Sequence, residues 1–252
     1  MSSKIKRKTL DHKPYIAVIL GVWNMANTLE RACSSILDQT LRDLHLFVID
    51  DGSDDNPAEA IAGLLSSDER ITFAVLQKKL GKRWGRSMSL NYGIGLAMVP
   101  GRLTKSGGER FTHIGIMDAD DVSSSRRFEE ELRLMKSKPE LDLVSCWYRK
   151  KGEVKNNPVD HEEIVKALPG RPTLCHGGLL SKVEVYQSIG GYDERLQTCV
   201  DWDFYLRAWK KGFMMGNVPK VLYSILFGRN KPPGHRERYL EDLKYLREKH
   251  GI

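Results

Sequence analysis

Short apolar runs alternate with segments of helical period along the first 150 residues. Tyr15-Ile-Ala-Val-Ile-Leu20 reads as a buried strand, and Thr28 to Gln39 follows with Leu29, Ala32, Cys33, Ile36 and Leu37 at helical spacing. Leu44 to Ile49 predicts a second strand, and Pro57 to Leu65 a helix with proline in its first turn. Ile71 to Leu76 and Thr112 to Met117 predict two further strands, with helices over Ser87–Met98 and Arg126–Lys138. Leu141 to Cys146 closes the series. Strand–helix alternation of this kind predicts an α/β fold with a mostly parallel sheet, helices on both faces and ligands at the carboxyl ends of the strands. After Tyr148 the pattern loosens into short helices near 163–168, 182–189 and 203–211, a strand over 221–227 and a terminal helix from Arg236. That remainder reads as a smaller mixed region and not as a second full domain.

Composition narrows the class without choosing a chemistry. Apolar residues make up 40% and charged residues 29% of the 252 positions, which fits a globular protein with a real core. No apolar run reaches the length of a membrane span, and no apolar stretch follows the basic start of the chain as a secretory signal requires. Cys33, Cys146, Cys175 and Cys199 lack C-x-x-C spacing and disulfide-scaffold density, so they read as reduced thiols and the chain as cytoplasmic. The net charge of +7 favours anionic partners, but nothing resembles an aromatic-interleaved basic motif or a zinc spacing, so no nucleic acid is expected.

The chemistry concentrates where apolar runs stop. The fourth strand ends in Asp118-Ala119-Asp120-Asp121, three carboxylates in four positions, and the second ends in Asp50-Asp51-Gly-Ser53. An isolated Asp-x-Asp is also what a solvated turn and helix cap would leave. In a parallel sheet, however, residues just past each strand share one rim, so these segments converge with the basic passage after strand three. That passage, Gln77 to Arg86, carries five cations and two glycines ahead of a helix, a setting suited to a pyrophosphate, with Lys82 and Arg86 as the candidate cations. Asp118 and Asp120 are then candidates to hold Mn²⁺ or Mg²⁺, hard cations that prefer carboxylate oxygens. Asp201, in Val200-Asp-Trp202-Asp203, opens a later helix and reads either as a cap or as a general base.

Together these motifs resemble the inverting family 2 glycosyltransferases of the GT-A fold, over about residues 14–227. The resemblance aligns Gly21 and the Trp23-Asn24 pair after strand one, Asp50-Asp51-Gly-Ser as the contact to nucleotide base and ribose, and Asp118-Ala119-Asp120 as the pyrophosphate and metal element. It aligns Asp201-Trp202-Asp203 with the family's general-base element, so that the base falls on Asp201. His176-Gly-Gly and Gly190-Gly-Tyr-Asp193 resemble the acceptor-lining middle section. The resemblance implies a nucleotide-binding half over 14–125, an acceptor-binding half over 126–227, a basic tail at 1–13, and a C-terminal loop and helix at 228–252. It implies transfer of a sugar from a nucleotide-diphosphate donor, a UDP-sugar, to a hydroxyl of a glycan or lipid-linked acceptor.

The sequence also departs from the pattern. Val200 replaces the usual acidic residue before the base, and Leu90 stands where many relatives place arginine. Arg229 or His235 would substitute for the usual Arg-x-His, and His176 reads as a donor contact or as a structural histidine. A catalytically silent nucleotide- or carbohydrate-binding protein is the alternative reading. A sugar-phosphate nucleotidyltransferase is disfavoured because Gly21-Val-Trp-Asn follows strand one in place of a glycine-rich segment. Tyr239, Leu240, Leu243 and Leu246 form a stripe on the terminal helix, to be buried against the domain or laid on a membrane surface.

Overall fold

The computed structural model describes residues 13, 15–77, 83–99, 110–226 and 234–252. Lys82, Arg229 and the loop at 101–109 lie outside the described residues. In chain order the elements of the nucleotide side are β1 (Ile16–Val22), α1 (Ala26–Leu37), β2 (Leu44–Asp50), α2 (Pro57–Ala60), α3 (Ala62–Ser67), β3 (Ile71–Val75), α4 (Arg86–Met98) and β4 (His113–Asp118). There follow β5 (Val122–Ser123), α5 (Arg127–Ser137), β6 (Leu141–Lys150), β7 (Glu153–Lys155), α6 (His161–Ala167), β8 (Leu180–Lys182), α7 (Val183–Ile189), α8 (Val200–Lys210), β9 (Met214–Ile225) and α9 (His235–His250).

These strands make one sheet in the order β3-β2-β1-β4-β8-β6-β9-β5, with β7 paired to the outer end of β6. The first four are parallel, as the alternation of strand and helix requires. β1 shows why its run is continuously apolar: Ala17 and Ile19 pack on one face while Ile16, Val18 and Leu20 pack on the other. Helices α4, α7, α8 and α9 cover the first face through Leu90, Ile94, Tyr186, Phe204 and Leu246. Helices α1 and α5 cover the second through Leu29, Ile36 and Phe128.

Beyond β4 the sheet is mixed. Leu141 to Cys146 forms a strand as expected, yet it does not pair with β4, because the three-residue β8 inserts between them, antiparallel to both. So short a strand carries no period of its own for the sequence to show. The strand expected over 221–227 begins at Met214 instead. Its register against β6 slips between Cys146↔Val218 and Trp147↔Val221, so Pro219 and Lys220 are accommodated in an irregularity. The helix expected over 57–65 is split at Ile61 into two short pieces.

The terminal helix docks on the domain through its C-terminal half. Leu246 is fully buried, whereas Tyr239 and Leu240 stay exposed. Asp242 accepts from the amides of Gln197 (3.0 Å) and Thr198 (2.7 Å), and Lys249 and His250 reach Asp203 at 2.6 and 2.9 Å. No helix of the described residues is long and apolar enough to cross a membrane.

Two glycines of α4 make opposite demands. A Cβ on Gly93 would lie 2.7 Å from Ile19 Cγ2 and 3.0 Å from Ile49 Cγ1, so α4 sits on the sheet because this position has no side chain. Gly95, on the exposed side, would meet nothing within 4 Å. Gly95→Ala is therefore expected to stabilise the fold by about 0.5–1 kcal/mol through helix propensity alone. Gly93→Ala is expected to destabilise it by about 1–3 kcal/mol through overpacking. Urea denaturation of the two variants checks both signs, and equal effects would contradict the packing of α4 described here.

Candidate active site

Register builds the site. Gly21 of β1 lies beside Ile49 on one side and Asp118 on the other, and Val22 lies beside Asp50, so both acidic strand ends reach the same rim. Each carboxylate there has a distinct setting. Asp50 Oδ1 accepts from the amide and hydroxyl of Ser53 at 2.9 and 2.6 Å. Asp51 reaches across to the basic passage, accepting the amides of Trp84 and Gly85 at 2.8 Å each. Burial raises the Asp51 carboxyl above its ordinary range, against the pull of those two amides. Asn24, at φ 50°, accepts the Asp54 amide at 2.8 Å and donates its own amide to Ser53. The Arg83 guanidinium lies 4.1 Å from the centroid of the Trp23 ring. Beside Asp50 a groove of about 380 Å³ opens, lined by Ser53, Asn56, Pro57, Phe73 and Val75.

The acidic turn divides into two roles. The Ala119 carbonyl accepts from the Thr28 hydroxyl at 2.8 Å, tying the turn to α1. Asp121 turns inward, accepting from the Tyr223 hydroxyl at 2.9 Å and the Leu226 amide at 3.2 Å. It caps no helix. Burial, reinforced by Asp118 and Asp120, pushes its carboxyl up to about 7. Asp118 and Asp120 are left at the rim. Arg86, the first residue of α4, donates through Nη2 to Asp118 Oδ1. The same nitrogen lies 2.7 Å from His176 Nδ1, and His176 Nε2 lies 2.9 Å from the Tyr192 hydroxyl. Arginine can only donate, so His176 Nδ1 is an acceptor and the ring proton sits on Nε2, toward Tyr192. Burial opposes the charge on Arg86, but Asp118 and then Asp201 outweigh it and hold the guanidinium firmly protonated.

Asp201 stands in the first turn of α8, whose preceding residue Cys199 has φ 55°. With Arg171, Pro172, Trp202 and Tyr239 it lines a second groove of about 220 Å³. Trp202 is anchored by donating Nε1 to the Leu168 carbonyl at 2.7 Å. Asp203, which the sequence offers as an acceptor contact or as support behind the site, is fully enclosed and taken up by Arg207, Lys249 and His250. Burial works against its ionisation, yet Arg207 and Lys249 hold its carboxyl below the ordinary range. Among the described residues no cluster of three or more His, Cys, Asp or Glu side chains is arranged to hold a metal.

Several residues of this site were not legible beforehand. Tyr223 sits in the part of β9 that the sequence does place in a strand, but its link to Asp121 spans 102 positions and leaves no local pattern. Arg127 lies wholly buried beneath the acidic turn, donating to the carbonyls of Ile116 (3.2 Å) and Gly177 (2.6 Å). It lies in a segment expected to be helical, and nothing in the local pattern marks it as buried.

The fold assembled here is that of the GT-A glycosyltransferases. A fragment of TarS from S. aureus superposes with a TM-score of 0.68 at 12% identity, over 93% of this chain and 65% of that one. The mannosyltransferase PcManGT from Pyrobaculum calidifontis, solved with GDP-Man and Mn²⁺, gives 0.67 at 18%, over 95% and 64%. The family model "Glycosyl transferase family 2" matches residues 17–190, and the chain belongs to that family. An uncharacterized glycosyltransferase of Methanocaldococcus jannaschii, MJ1057, is 25% identical over 92% of this chain and 75% of its own length. Chondroitin synthase of Escherichia coli is likewise 25% identical over 90% of this chain, which spans 31% of that enzyme.

Arg127 also bears on stability. Its Nε is 3.9 Å from Glu131 Oε2, too far for a hydrogen bond, and neither group is exposed. Burial therefore raises the Glu131 carboxyl from an ordinary 4.5 to about 8, with Arg127 opposing incompletely. Between those values the folded chain holds a proton that the unfolded chain releases, so this group weakens folding as pH rises from about 4.5 to 8. Glu131→Gln is expected to remove that decline and to exceed the parent by on the order of 1–3 kcal/mol at pH 8. Urea denaturation at pH 5 and pH 8.5 measures it, and parallel pH profiles would contradict it.

Proposed function

We propose that this glycosyltransferase moves a sugar from a nucleotide-diphosphate donor, a UDP-sugar in the first instance, to a hydroxyl of a glycan or lipid-linked acceptor, with inversion. One observation carries the reading: Arg86, at the start of α4, is ion-paired with Asp118 on the strand rim, and the charge of Asp201 at the start of α8 also acts on it. A diphosphate placed against Arg86 and the N-terminus of α4 leaves the sugar between the rim and Asp201. Asp201 then takes the proton of the acceptor hydroxyl as its oxygen attacks the anomeric carbon, and the bond to the diphosphate oxygen breaks on the opposite side. Negative charge develops on the departing diphosphate, where Arg86 faces it.

Asp118 and Asp120 would hold Mn²⁺ or Mg²⁺. Magnesium-like ions take one or two carboxylates and complete their shell with substrate phosphate oxygens, which suits two rim carboxylates with Asp121 turned away onto Tyr223. Bound there, the ion supplies Lewis-acid stabilisation of the leaving diphosphate. The groove beside Asp50 is the site for the base and ribose, and Gly21, Trp23, Asn24 and Asp51, at and just past the ends of β1 and β2, are the further donor contacts in this reading. The groove at Asp201, with Trp202 at its wall and His176 nearer the donor, receives the acceptor. TarS of S. aureus has been solved with UDP and UDP-GlcNAc, and the relatives include a chondroitin and a hyaluronan synthase, which supports a role in polysaccharide assembly.

Asp201→Asn is expected to lower kcat by about 10²–10⁴-fold with donor affinity near normal. Turnover assays together with calorimetric titration of UDP read both quantities. Undiminished turnover would remove Asp201 from the mechanism. Donor binding without turnover in the parent protein would favour a silent binding protein. Asp120→Ala is expected to weaken UDP binding in the presence of Mn²⁺ by about tenfold or more, and unchanged affinity would remove Asp120 as a metal ligand.

A further inference from the structure

We propose that Arg86 is a latch on Asp118: its guanidinium holds this carboxylate until a nucleotide diphosphate draws it off, so divalent-metal binding is conditional on the nucleotide. This rests on the reading of Asp118 as a metal ligand. A guanidinium and a divalent cation are competitors for the same carboxylate oxygen, and two cations on one carboxylate repel each other. Arg86 Nη2 already donates to Asp118 Oδ1. For the ion to bind well, the arginine has to be drawn away or its charge offset.

The contact is built to hold and to release. It holds because Arg86 is oriented from behind: Nη2 also meets His176 Nδ1, and His176 Nε2 meets the buried Tyr192 hydroxyl. Tyr192 is fixed in turn by Asn91 of the same helix, whose side chain accepts its amide at 2.8 Å and donates to its carbonyl at 2.9 Å. It releases because only one guanidinium nitrogen serves both partners, in place of the paired contacts of a bidentate carboxylate fork. Arg86 Nε is buried with no hydrogen-bond partner among the described residues, leaving donor capacity unspent. A diphosphate offers several charged oxygens to such a group, at a helix N-terminus that already favours anions. Once it lies between the guanidinium and the ion, the two cations share an anion and no longer compete for one carboxylate. Nucleotide and metal then favour each other reciprocally, as linkage demands.

The test is Mn²⁺ binding, read from the electron paramagnetic resonance signal of the unbound ion. It is carried out with and without UDP, corrected for the Mn–UDP complex, on the wild-type chain and on Arg86→Met, Arg86→Lys and Asp118→Asn. Arg86→Met is expected to bind Mn²⁺ alone about tenfold tighter than wild type and to gain correspondingly less from UDP. Arg86→Lys keeps the charge but not the guanidinium, should fall between the two, and carries the test if the methionine variant does not fold. Equal affinity of wild type and both Arg86 variants for Mn²⁺ alone, with binding lost in Asp118→Asn, would overturn the latch and leave the metal site standing. Absence of Mn²⁺ binding from wild type and both Arg86 variants, with or without UDP, would overturn the metal reading and the latch with it.

Discussion

The acidic rim of this sheet is steadied by the ion pair of Arg86 with Asp118. Register brings Asp50 and Asp118 to adjacent strand ends, with Asp51, Asp120 and Asp121 beside them, and partly buried carboxylates repel. Arg86 meets that charge at Asp118, and it can do so because α4 lies tight on the sheet where Gly93 approaches Ile19. Asp51 fixes the start of the helix by holding the amides of Trp84 and Gly85, the latter at φ 94°. The backbone there allows no bulk: a Cβ on Gly85 would meet the Gln197 side chain at 2.6 Å.

That last contact links the two halves of the cleft. Gln197 belongs to the loop leading into α8, and Ser87 of α4 donates to the Leu196 carbonyl of the same loop at 2.9 Å. From the other side α9 grips the loop through Asp242 and grips α8 through Asp203, Lys249 and His250. Asp201 is therefore positioned by elements that also position Arg86 and the start of α4. The C-terminal helix, beyond the span matched by the family model, is part of that frame.

The parallel half of the fold was readable because β1, β2 and β4 are buried on both faces and so are mostly apolar. Their acidic ends stood out against those runs, and strand direction alone told that they meet. The mixed half was less readable. β8 is three residues long, and β9 absorbs Pro219 in a register slip, so neither shows a full period. Polar partnerships were the least legible. Asp203 sits two positions after Asp201 in a motif that groups them, yet it bonds to Lys249 and His250, whose distance along the chain leaves no mark in sequence. The same holds for the pairing of Arg86 with His176 across 90 positions. Which carboxylate faces solvent and which is consumed inside the protein was decided by packing.

In the proposed reaction one carboxylate base faces a diphosphate leaving group, an arrangement that makes a single displacement with one stereochemical outcome. The direct measurement is the anomeric configuration of the glycosidic product, read by proton NMR. The donor is whichever nucleotide sugar best protects the chain against thermal unfolding. Inversion relative to the donor is the expected result. Retention would require two successive displacements or attack from the face the diphosphate leaves, and would contradict the role given to Asp201.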